Sequence, residues 1–454
     1  MKSLRLIKNA SVVNEGEIKV LDVLIEGAFI KEIGEITPPQ NCLVIEAEGK
    51  FLLPGIIDGQ VHFREPGFTH KGNIYTESRA GIAGGVTSYI DMPNTLPNVL
   101  TLEALAEKYR LAAESSLSNY SFFLGINDTN VKDLISWDTS GIIGISDDGL
   151  YMSQKGNLLA ENPETMELLF KNCQNIIAIH AEIESEILKN EALYEARYGR
   201  DIPAKYHPKI RSWEACYKAT KRAIEIAKKH CARLHILHLS TLEETHLFDC
   251  NIPLTQKRIT TEVSVHHLYF SEEDYEKLGM RIKWNPAIKT KTDQEGLLKA
   301  LIDDHIDLIT TDHAPHTLEE KERPYFESLS GAPMVQHSLN CMLDFFQKGK
   351  ISLEKITEKM CHNPAVLYGI EQRGFIKEGY YADLVLVDLN ASWVVSTDNI
   401  LYQCGWSPLE GRTFKNKVLK TFVNGQLVYD NGTFNESKMG MPLKTLQQKN
   451  LHKS

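Results

Sequence analysis

The middle of the chain alternates short apolar runs with longer segments in which apolar residues recur at helical spacing. The runs of strand length are residues 86–91, 121–125, 176–180, 234–238, 259–262 and 306–312, and the helical segments include residues 102–116, 163–172 and 211–230. Repeated strand–helix units predict a parallel sheet covered by helices. Because residues 54–370 have the length of a closed barrel, we predict an α/β protein with a TIM-like (β/α)8 barrel there.

The two ends of the chain alternate polar and apolar residues with a period of two, which is typical of strands. Such segments are residues 4–8, 22–27 and 382–388, and residues 421–429 have the pattern of a hairpin with an Asn424-Gly425 turn. We therefore predict one small β-sandwich domain built from both ends, residues 1–53 and 371–436. Residues 437–454 are polar and have no clear period, which predicts a loose tail or an arm on a neighbouring subunit.

The composition is that of a soluble globular protein, with 42% hydrophobic and 24% charged residues among 454. The net charge of −10 argues against a general nucleic-acid or anionic-membrane binder. No run is as long as a membrane helix, no apolar segment follows the first residues as in a secretion signal, and the eight cysteines lack zinc-finger or redox spacing. These features predict a cytoplasmic protein with reduced thiols.

The most informative polar pattern directly follows the apolar run that ends at Pro54. Asp58, Gln60, His62 and Arg64 are each two residues apart, so a strand would direct all four side chains to one face. Burying an imidazole, an amide and a guanidinium together costs free energy unless something binds to them. The pattern therefore predicts a binding site on this face of the strand.

Three further polar residues stand at the ends of predicted strands, namely His180, His238 and Asp312. In a (β/α)8 barrel the carboxyl ends of the strands meet at one mouth, where catalytic groups from distant parts of the chain converge. Imidazole and carboxylate are donors that zinc accepts. Together with His62, these residues predict a metal centre at the mouth of the barrel.

These motifs resemble those of the amidohydrolase superfamily, and of dihydroorotases within it, over roughly residues 4–435. The segments that carry the resemblance are 54–67, Asp91-Met-Pro-Asn94-Thr95, His180-Ala-Glu182, His238-Leu-Ser-Thr241, 262–268, Asn285-Pro-Ala-Ile-Lys289, 311–316, Asn363-Pro-Ala365 and 404–411. One position departs from the family, because its usual His-x-His begins here with Gln60. A neutral amide is a poor zinc donor beside imidazole.

The resemblance implies a role for each matching residue. The expected zinc ligands are His62, Asp148, His180, His238 and Asp312. The expected catalytic residue is Asp312, which would shuttle the proton, and the substrate would be held by Arg64, Asn94, Asn285 and His316. Asp147 is the alternative to Asp148 as the carboxylate that bridges the metals. One firmly held Zn²⁺ is expected, and a second, weaker one would share His62 and the doubtful ligand Gln60.

The resemblance further implies a zinc-dependent interconversion of N-carbamoyl-L-aspartate and L-dihydroorotate in pyrimidine (UMP) biosynthesis. The nearest alternative is another cyclic-amide hydrolase, an allantoinase or a hydantoinase. The alternative of another class, which Gln60 motivates, is a catalytically silent dihydroorotase-like scaffold. A homodimer or larger homo-oligomer and an association with aspartate carbamoyltransferase are also expected.

The remaining polar residues near these motifs are interpreted mainly as structural. One of His266 and His267 is expected to line the site, and His313 is expected to face away from the metal. His70 and Lys71, in the loop after the first motif, are lesser candidates for contact with the substrate. Residues 315–332 are predicted to form a mobile lid.

Overall fold

A computed structural model describes residues 3–149, 159, 162–436 and 440–446. Its strands, numbered in chain order, are β1 (Leu4–Asn14), β2 (Glu17–Glu26), β3 (Phe29–Gly34), β4 (Leu43–Glu46), β5 (Phe51–Pro54), β6 (Ile56–Val61), β7 (Val86–Asp91), β8 (Asn119–Phe122), β9 (Leu124–Gly125), β10 (Ile145–Ser146), β11 (Ile176–Ile179), β12 (Arg233–Ile236), β13 (Ile259–Ser264), β14 (Leu308–Thr310), β15 (Leu384–Asp388), β16 (Trp393–Val394), β17 (Thr413–Phe414), β18 (Lys417–Val423), β19 (Gln426–Asp430) and β20 (Thr433–Phe434).

The α-helices, numbered in the same way, are α1 (Ile74–Ala83), α2 (Leu102–Ser115), α3 (Val131–Ser136), α4 (Pro163–Asn172), α5 (Glu184–Tyr198), α6 (His207–Ile210), α7 (Trp213–His230), α8 (Leu242–Thr245), α9 (Val265–Tyr269), α10 (Tyr275–Leu278), α11 (Lys291–Ile302), α12 (Leu318–Lys321), α13 (Ser338–Gln347), α14 (Leu353–Thr357) and α15 (Asn363–Leu367). Within the described ranges, none of the helices combines the length and the apolar character that crossing a bilayer requires.

The central strands form two parallel sheets that join into one closed barrel. One sheet has the order β14-β13-β12-β11-β10-β9 and the other the order β6-β7-β8. β8 and β9 follow one another on either side of Phe123, and Val61 at the end of β6 bridges His313 just after β14 in parallel. The backbone N–H of His62 donates to the His313 carbonyl at 2.8 Å, which closes the ring of strands. The predicted barrel is confirmed.

Burial explains why these segments adopt their structure. All residues of β7 and β11 are buried, as expected for parallel strands that helices cover on one side and the barrel interior fills on the other. In α7, Ala215, Ala219 and Ala223 recur at helical spacing and are buried, while the last turn is basic and suits the negative end of the helix dipole. Thr101 and Asn162 cap α2 and α4 by accepting backbone N–H groups.

Both ends of the chain meet in one nine-stranded sheet of order β20-β19-β18-β15-β5-β1-β2-β3, with β4 paired to β1. The junction is β5, which pairs in parallel with β1 and antiparallel with β15. Asn424 and Gly425 form the predicted two-residue turn, with φ of 49° and 73°. Val385 of the sheet belongs to the main core, whereas Phe422 lies in a separate core that strands of both ends enclose. The domain boundaries at residues 53 and 371 stay a prediction.

The first barrel strand does not alternate as predicted, because its register with β7 shifts between Asp58 and Val61. The Asp58 carboxylate accepts the backbone N–H and the hydroxyl of Thr311, at 3.1 and 2.6 Å. His62, in contrast, lines the cavity described below. An extra residue in a strand interrupts the alternation of side chains. The prediction of one shared face is therefore wrong at Asp58.

Residues 440–446 pack against the amino-terminal end of the barrel. The Leu443 N–H donates to the Tyr120 carbonyl at 2.8 Å, and the Leu446 N–H donates to that of Gly369 at 2.9 Å. Leu443 is 3% exposed and belongs to a core cluster of barrel residues. The prediction of a loose tail is wrong here, because the buried Leu443 side chain and these backbone hydrogen bonds hold the segment against the barrel. Residues 437–439 and 447–454 of the predicted tail lie outside the described residues.

Leu443→Ala is expected to lower the free energy of unfolding by about 2–5 kcal/mol, because it leaves a cavity at the base of the barrel. The matched control, Leu446→Ala, removes a side chain that is 58% exposed. This control should change the free energy of unfolding by about 0.5 kcal/mol or less. The urea concentration at half-unfolding measures both effects. Equal midpoints for the two variants would show that Leu443 does not anchor the segment in solution.

Candidate active site

A cavity of about 290 Å³ opens at the carboxyl ends of the barrel strands. The predicted site residues that line it are His62, Arg64, Asn94, Asp148, His180, His238, Asn285, Asp312 and His316. Gln60 is fully buried and does not belong to the lining. The barrel therefore brings together every predicted site residue except Gln60.

His62 is held between Asn94 and Asp312, just beyond the end of β6. Its Nδ1 lies 2.8 Å from the Asn94 amide oxygen, so this nitrogen donates and Nε2 of a neutral ring keeps a lone pair. Nε2 lies 3.1 Å from Asp312 Oδ1. Two acceptors this close repel each other unless a proton or a cation lies between them. The pair is therefore suited to share a positive charge.

Asp147 holds His180 from behind. The Asp147 carboxylate lies 2.8 Å from His180 Nδ1 and also accepts the His180 backbone N–H at 3.1 Å. His180 Nε2 is left 3.5 Å from Asp148 Oδ1. A carboxylate in the position of Asp147 commonly orients a metal-ligating imidazole. Burial lowers the pKa of His180, but the charges of Asp148 and Asp147 outweigh it and raise the pKa to about 9. This negative surrounding favours a cation.

His238 adds a second imidazole on the same side, with its ring centroid 4.9 Å from that of His180. Its Nδ1 is buried and has no hydrogen-bond partner among the described residues. Burial holds the pKa of His238 well below its usual value, so the ring is neutral, as a metal ligand must be. Arg64, His238 and Asp312 have φ of 69°, 34° and 45°. Left-handed backbone costs of order 1–3 kcal/mol per non-glycine residue and clusters at functional sites.

The donors fit a metal ion by type and by the spacing of pairs. Both carboxylate oxygens of Asp148 are buried without a hydrogen-bond partner in the described ranges, and Oδ1 lies 3.5 Å from His180 Nε2. Zinc–ligand distances of about 2.0–2.2 Å separate two ligands of a tetrahedral ion by about 3.3–3.6 Å. Among the described residues, however, no group of three or more His, Cys, Asp or Glu is placed to hold an ion. A bound ion would therefore have to draw these side chains together.

Gln60 differs from the other predicted ligands in its surroundings. Both polar atoms of its amide are buried and find no hydrogen-bond partner in the part of the chain that the structure describes. The amide also lies outside the cavity lining. A neutral amide cannot balance the charge of a metal ion. A metal that His62 binds would therefore depend on Asp148 and Asp312 for negative charge.

Arg64 brings a positive charge to the same cavity and is only 8% exposed. Its Nε donates to the Pro315 carbonyl at 3.0 Å, and its Nη2 lies 3.1 Å from His316 Nε2. Burial lowers the pKa of Arg64, while the charges of Asp312 and Asp148 raise it. None of the described carboxylates lies within ion-pair distance of the guanidinium. A buried guanidinium without a paired carboxylate is unfavourable, so this charge is available to an anionic ligand.

Lys71 lines the cavity beside His316. Its Nζ lies 3.0 Å from Glu320 Oε1 and 3.1 Å from His316 Nδ1. Burial and the charge of Arg64 lower the pKa of Lys71, while Glu320 raises it. The side chain of His70, in contrast, is 57% exposed. Of the two loop residues that were candidates for contact with the substrate, Lys71 lines the cavity and His70 does not.

The segment predicted as a lid forms one wall of the cavity. Lys321 Nζ donates to the carbonyls of Lys283 and Leu329 at 3.0 and 2.7 Å. Lys283 Nζ donates to the carbonyls of Tyr325 and Ser328, both at 2.6 Å. Burial lowers the pKa of Lys283 to about 7. Opening this wall would break these buried hydrogen bonds, and its mobility stays a prediction.

Sequence reasoning missed Trp284, which lines the cavity. The ring of His266 stacks on it at a centroid distance of 4.1 Å. Neither His266 nor His267 lines the cavity, so the expectation that one of them does is wrong. His313 faces away, as predicted, with its Nε2 2.7 Å from Glu77 Oε2. The only signal for Trp284 in the sequence is its position directly before the Asn-Pro-Ala-Ile-Lys motif.

Related sequences match nearly the whole chain. The model of the amidohydrolase family matches residues 51–428. A dihydroorotase from Halobacterium salinarum is 32% identical over 441 residues, which cover 95% of this chain and 97% of that protein. A dihydroorotase from Carboxydothermus hydrogenoformans is 33% identical over 430 residues, which cover 93% and 97%. The resemblance drawn from the motifs is confirmed.

Solved structures show the same fold. The L-hydantoinase (dihydropyrimidinase) from Arthrobacter aurescens has a TM-score of 0.87 at 24% identity, covering 98% of this chain and 100% of that one. The dihydropyrimidinase from Brevibacillus agri has a TM-score of 0.84 at 24% identity, covering 97% and 99%. This likeness confirms the predicted barrel with its β-sandwich domain, and at this identity it speaks for the fold alone.

Proposed function

Because the chain belongs to the amidohydrolase family, we propose that it is a zinc-dependent dihydroorotase of pyrimidine (UMP) biosynthesis. It would interconvert N-carbamoyl-L-aspartate and L-dihydroorotate. The dihydroorotases at 32% identity support this assignment. The observation that carries it is the guanidinium of Arg64, which is buried in the cavity and has no described carboxylate as its partner.

Both proposed reactants carry a carboxylate that does not react. A guanidinium binds a carboxylate through two parallel hydrogen bonds, which fixes orientation as well as charge. Hydantoin and allantoin have no carboxylate, so either ring would leave the Arg64 charge buried and unpaired. Arg64 therefore favours dihydroorotate over the substrates of the nearest alternative enzymes.

We propose that zinc is held by His62, Asp148, His180, His238 and Asp312, with one ion bound firmly and any second ion bound more weakly because Gln60 is a poor ligand. A bound zinc ion supplies a Lewis acid for the ring carbonyl and lowers the pKa of a water molecule to about 7.

We assign the remaining roles to residues that line the cavity. Asn94 gives its oxygen to His62, which leaves its amide N–H groups for the substrate. Asn285 completes the proposed polar contacts with the substrate, and His316, next to Arg64, borders the proposed carboxylate site. Asp312 would accept the proton of the attacking water and deliver it to the ring nitrogen that leaves. In the ring-closing direction, Asp312 would take the proton from the ureido nitrogen.

One experiment tests the proposal against both alternatives. The purified protein is analysed for zinc per chain and assayed for ring opening of dihydroorotate, hydantoin and allantoin, with and without a chelator. We expect dihydroorotate to be preferred, with activity that chelation removes and zinc restores. Preference for hydantoin or allantoin would favour the alternative hydrolases. No turnover of any substrate by the zinc-loaded protein would favour the silent scaffold.

Arg64→Lys is expected to raise KM for dihydroorotate about 10–100-fold, because lysine keeps the charge but loses the planar fork. The turnover number should change much less, since Arg64 does not touch the reacting bond. Steady-state kinetics measure both constants. The control is Arg110→Lys, at an arginine that forms an exposed helix pair with Glu107. A KM within about twofold of the wild type would remove Arg64 from substrate binding.

The predicted homo-oligomer, the association with aspartate carbamoyltransferase and the cytoplasmic location stay predictions. Light scattering of the purified protein, alone and mixed with that enzyme, measures the first two.

A further inference from the structure

His316 has three neighbours that no single tautomer of its ring can satisfy. Lys71 Nζ lies 3.1 Å from Nδ1 and the Ser330 carbonyl lies 2.9 Å from Nε2. Arg64 Nη2 lies 3.1 Å from the same Nε2. In a neutral imidazole one nitrogen donates and the other accepts. Nε2 therefore cannot donate to Ser330 and accept from Arg64 at once.

Lys71 decides between the two tautomers. Its ammonium is paired with Glu320 Oε1 at 3.0 Å and can only donate. His316 Nδ1 must then accept, the ring proton resides on Nε2, and this N–H donates to the Ser330 carbonyl. With the proton on Nε2, His316 offers no acceptor to Arg64. The Nη2 hydrogens of Arg64 stay free.

We propose that Lys71 is a positioning residue for substrate binding. By donating to His316 Nδ1 it fixes the Nε2–H tautomer, which keeps the Arg64 guanidinium available to the carboxylate of the substrate. The inference rests on the proposed function and deepens it, because it names a residue, Lys71, that acts on the Arg64 guanidinium through His316.

Loss of Lys71 should reverse the arrangement. Glu320 loses its ammonium partner, and its Oε2 already lies 3.8 Å from His316 Nδ1. A small rotation then lets Nδ1–H donate to this carboxylate. Nε2 becomes an acceptor and takes a hydrogen bond from Arg64 Nη2. The guanidinium is then partly occupied within the protein, and the substrate carboxylate binds more weakly.

The kinetic test is Lys71→Met, for which we expect KM for dihydroorotate to rise about tenfold while kcat stays within about threefold. Lys71→Arg keeps a charged donor, so its KM should lie close to the wild-type value. Adding Glu320→Gln to Lys71→Met weakens the competing acceptor. The KM of this double variant should therefore lie nearer the wild-type value than the KM of Lys71→Met alone. The matched control is Lys257→Met, at a lysine whose side chain is 5% exposed and paired with Asp307 at the other end of the barrel.

A spectroscopic readout separates this role from a merely structural one. Nitrogen-15 NMR of labelled histidine distinguishes protonated from unprotonated ring nitrogens, and His316→Gln identifies the signals of this ring. In the wild type we expect the protonated nitrogen to be Nε2. In Lys71→Met we expect it to be Nδ1, and thermal unfolding should confirm that the variant is folded.

Two results would overturn the inference in an enzyme that opens dihydroorotate. One is an unchanged His316 tautomer in Lys71→Met, and the other is a loss in kcat with KM unaltered. A wild-type protein that fails to open dihydroorotate would overturn the proposed function instead. The two failures are distinguishable, because the NMR signals do not depend on turnover.

Discussion

Asp312→Asn is expected to lower turnover of dihydroorotate by roughly 10²–10⁴-fold, the usual loss when a general acid–base is removed. The amide has the shape of the carboxylate but cannot accept the proton that the reaction releases. Asp312 is only 6% exposed, and its Oδ1 lies 3.1 Å from His62 Nε2. Bulk water therefore cannot readily replace it. The fold should be intact, because asparagine fills the same volume.

Asp307→Asn is the matched control, since Asp307 precedes β14 and Asp312 follows it. Asp307 is buried and paired with Lys257 at 2.7 Å. This variant should lose stability and keep its turnover number. Asp312→Asn, in contrast, should keep its stability and lose turnover. Ring-opening kinetics, zinc content and thermal unfolding are measured for both. If Asp312→Asn turned over within about tenfold of the wild type at equal zinc content, another group would have to carry the proton.

The strand-end residues were predictable because a barrel brings residues that are distant in sequence together without any need to know their contacts. His180, His238 and Asp312 are far apart in the chain, yet each directly follows or nearly follows a buried strand, and parallel strands end at one mouth. The strand pattern and the residue at the end of each strand are therefore sufficient for the prediction. The hairpin at Asn424-Gly425 was also predictable from a local pattern, because a two-residue Asn-Gly turn determines its own geometry.

Other features depend on contacts that no local pattern carries. The register shift at Asp58 arises between β6 and β7, so the period of the strand alone could not show it. Leu443 anchors its segment through barrel residues far away in sequence. Lys71 meets His316 across a long sequence separation. In each case the deciding partner lies in another element, and the segment's own composition predicts something else.

The choice between Asp147 and Asp148 was also open in the sequence, and the structure suggests how to decide it. Asp148→Asn is expected to lose zinc and at least about 10³-fold in turnover, because a neutral amide is a poor zinc ligand. Asp147→Asn should cost only about 10–100-fold in zinc affinity or turnover, as is usual for a group that orients a ligating histidine. The two variants make the same chemical change at adjacent, fully buried positions, so each controls for the other.

The order of the two effects is what the geometry predicts. Asp147 is already occupied, since it accepts both Nδ1–H and the backbone N–H of His180. Asp148 has both oxygens free of hydrogen bonds among the described residues, and it lies near Nε2 of His180 and Nδ1 of His62. Zinc per chain after dialysis, together with ring-opening kinetics, ranks the variants. A larger zinc loss in Asp147→Asn than in Asp148→Asn would make Asp147 the ligand, and His180 would then have to turn away from it to bind the same ion.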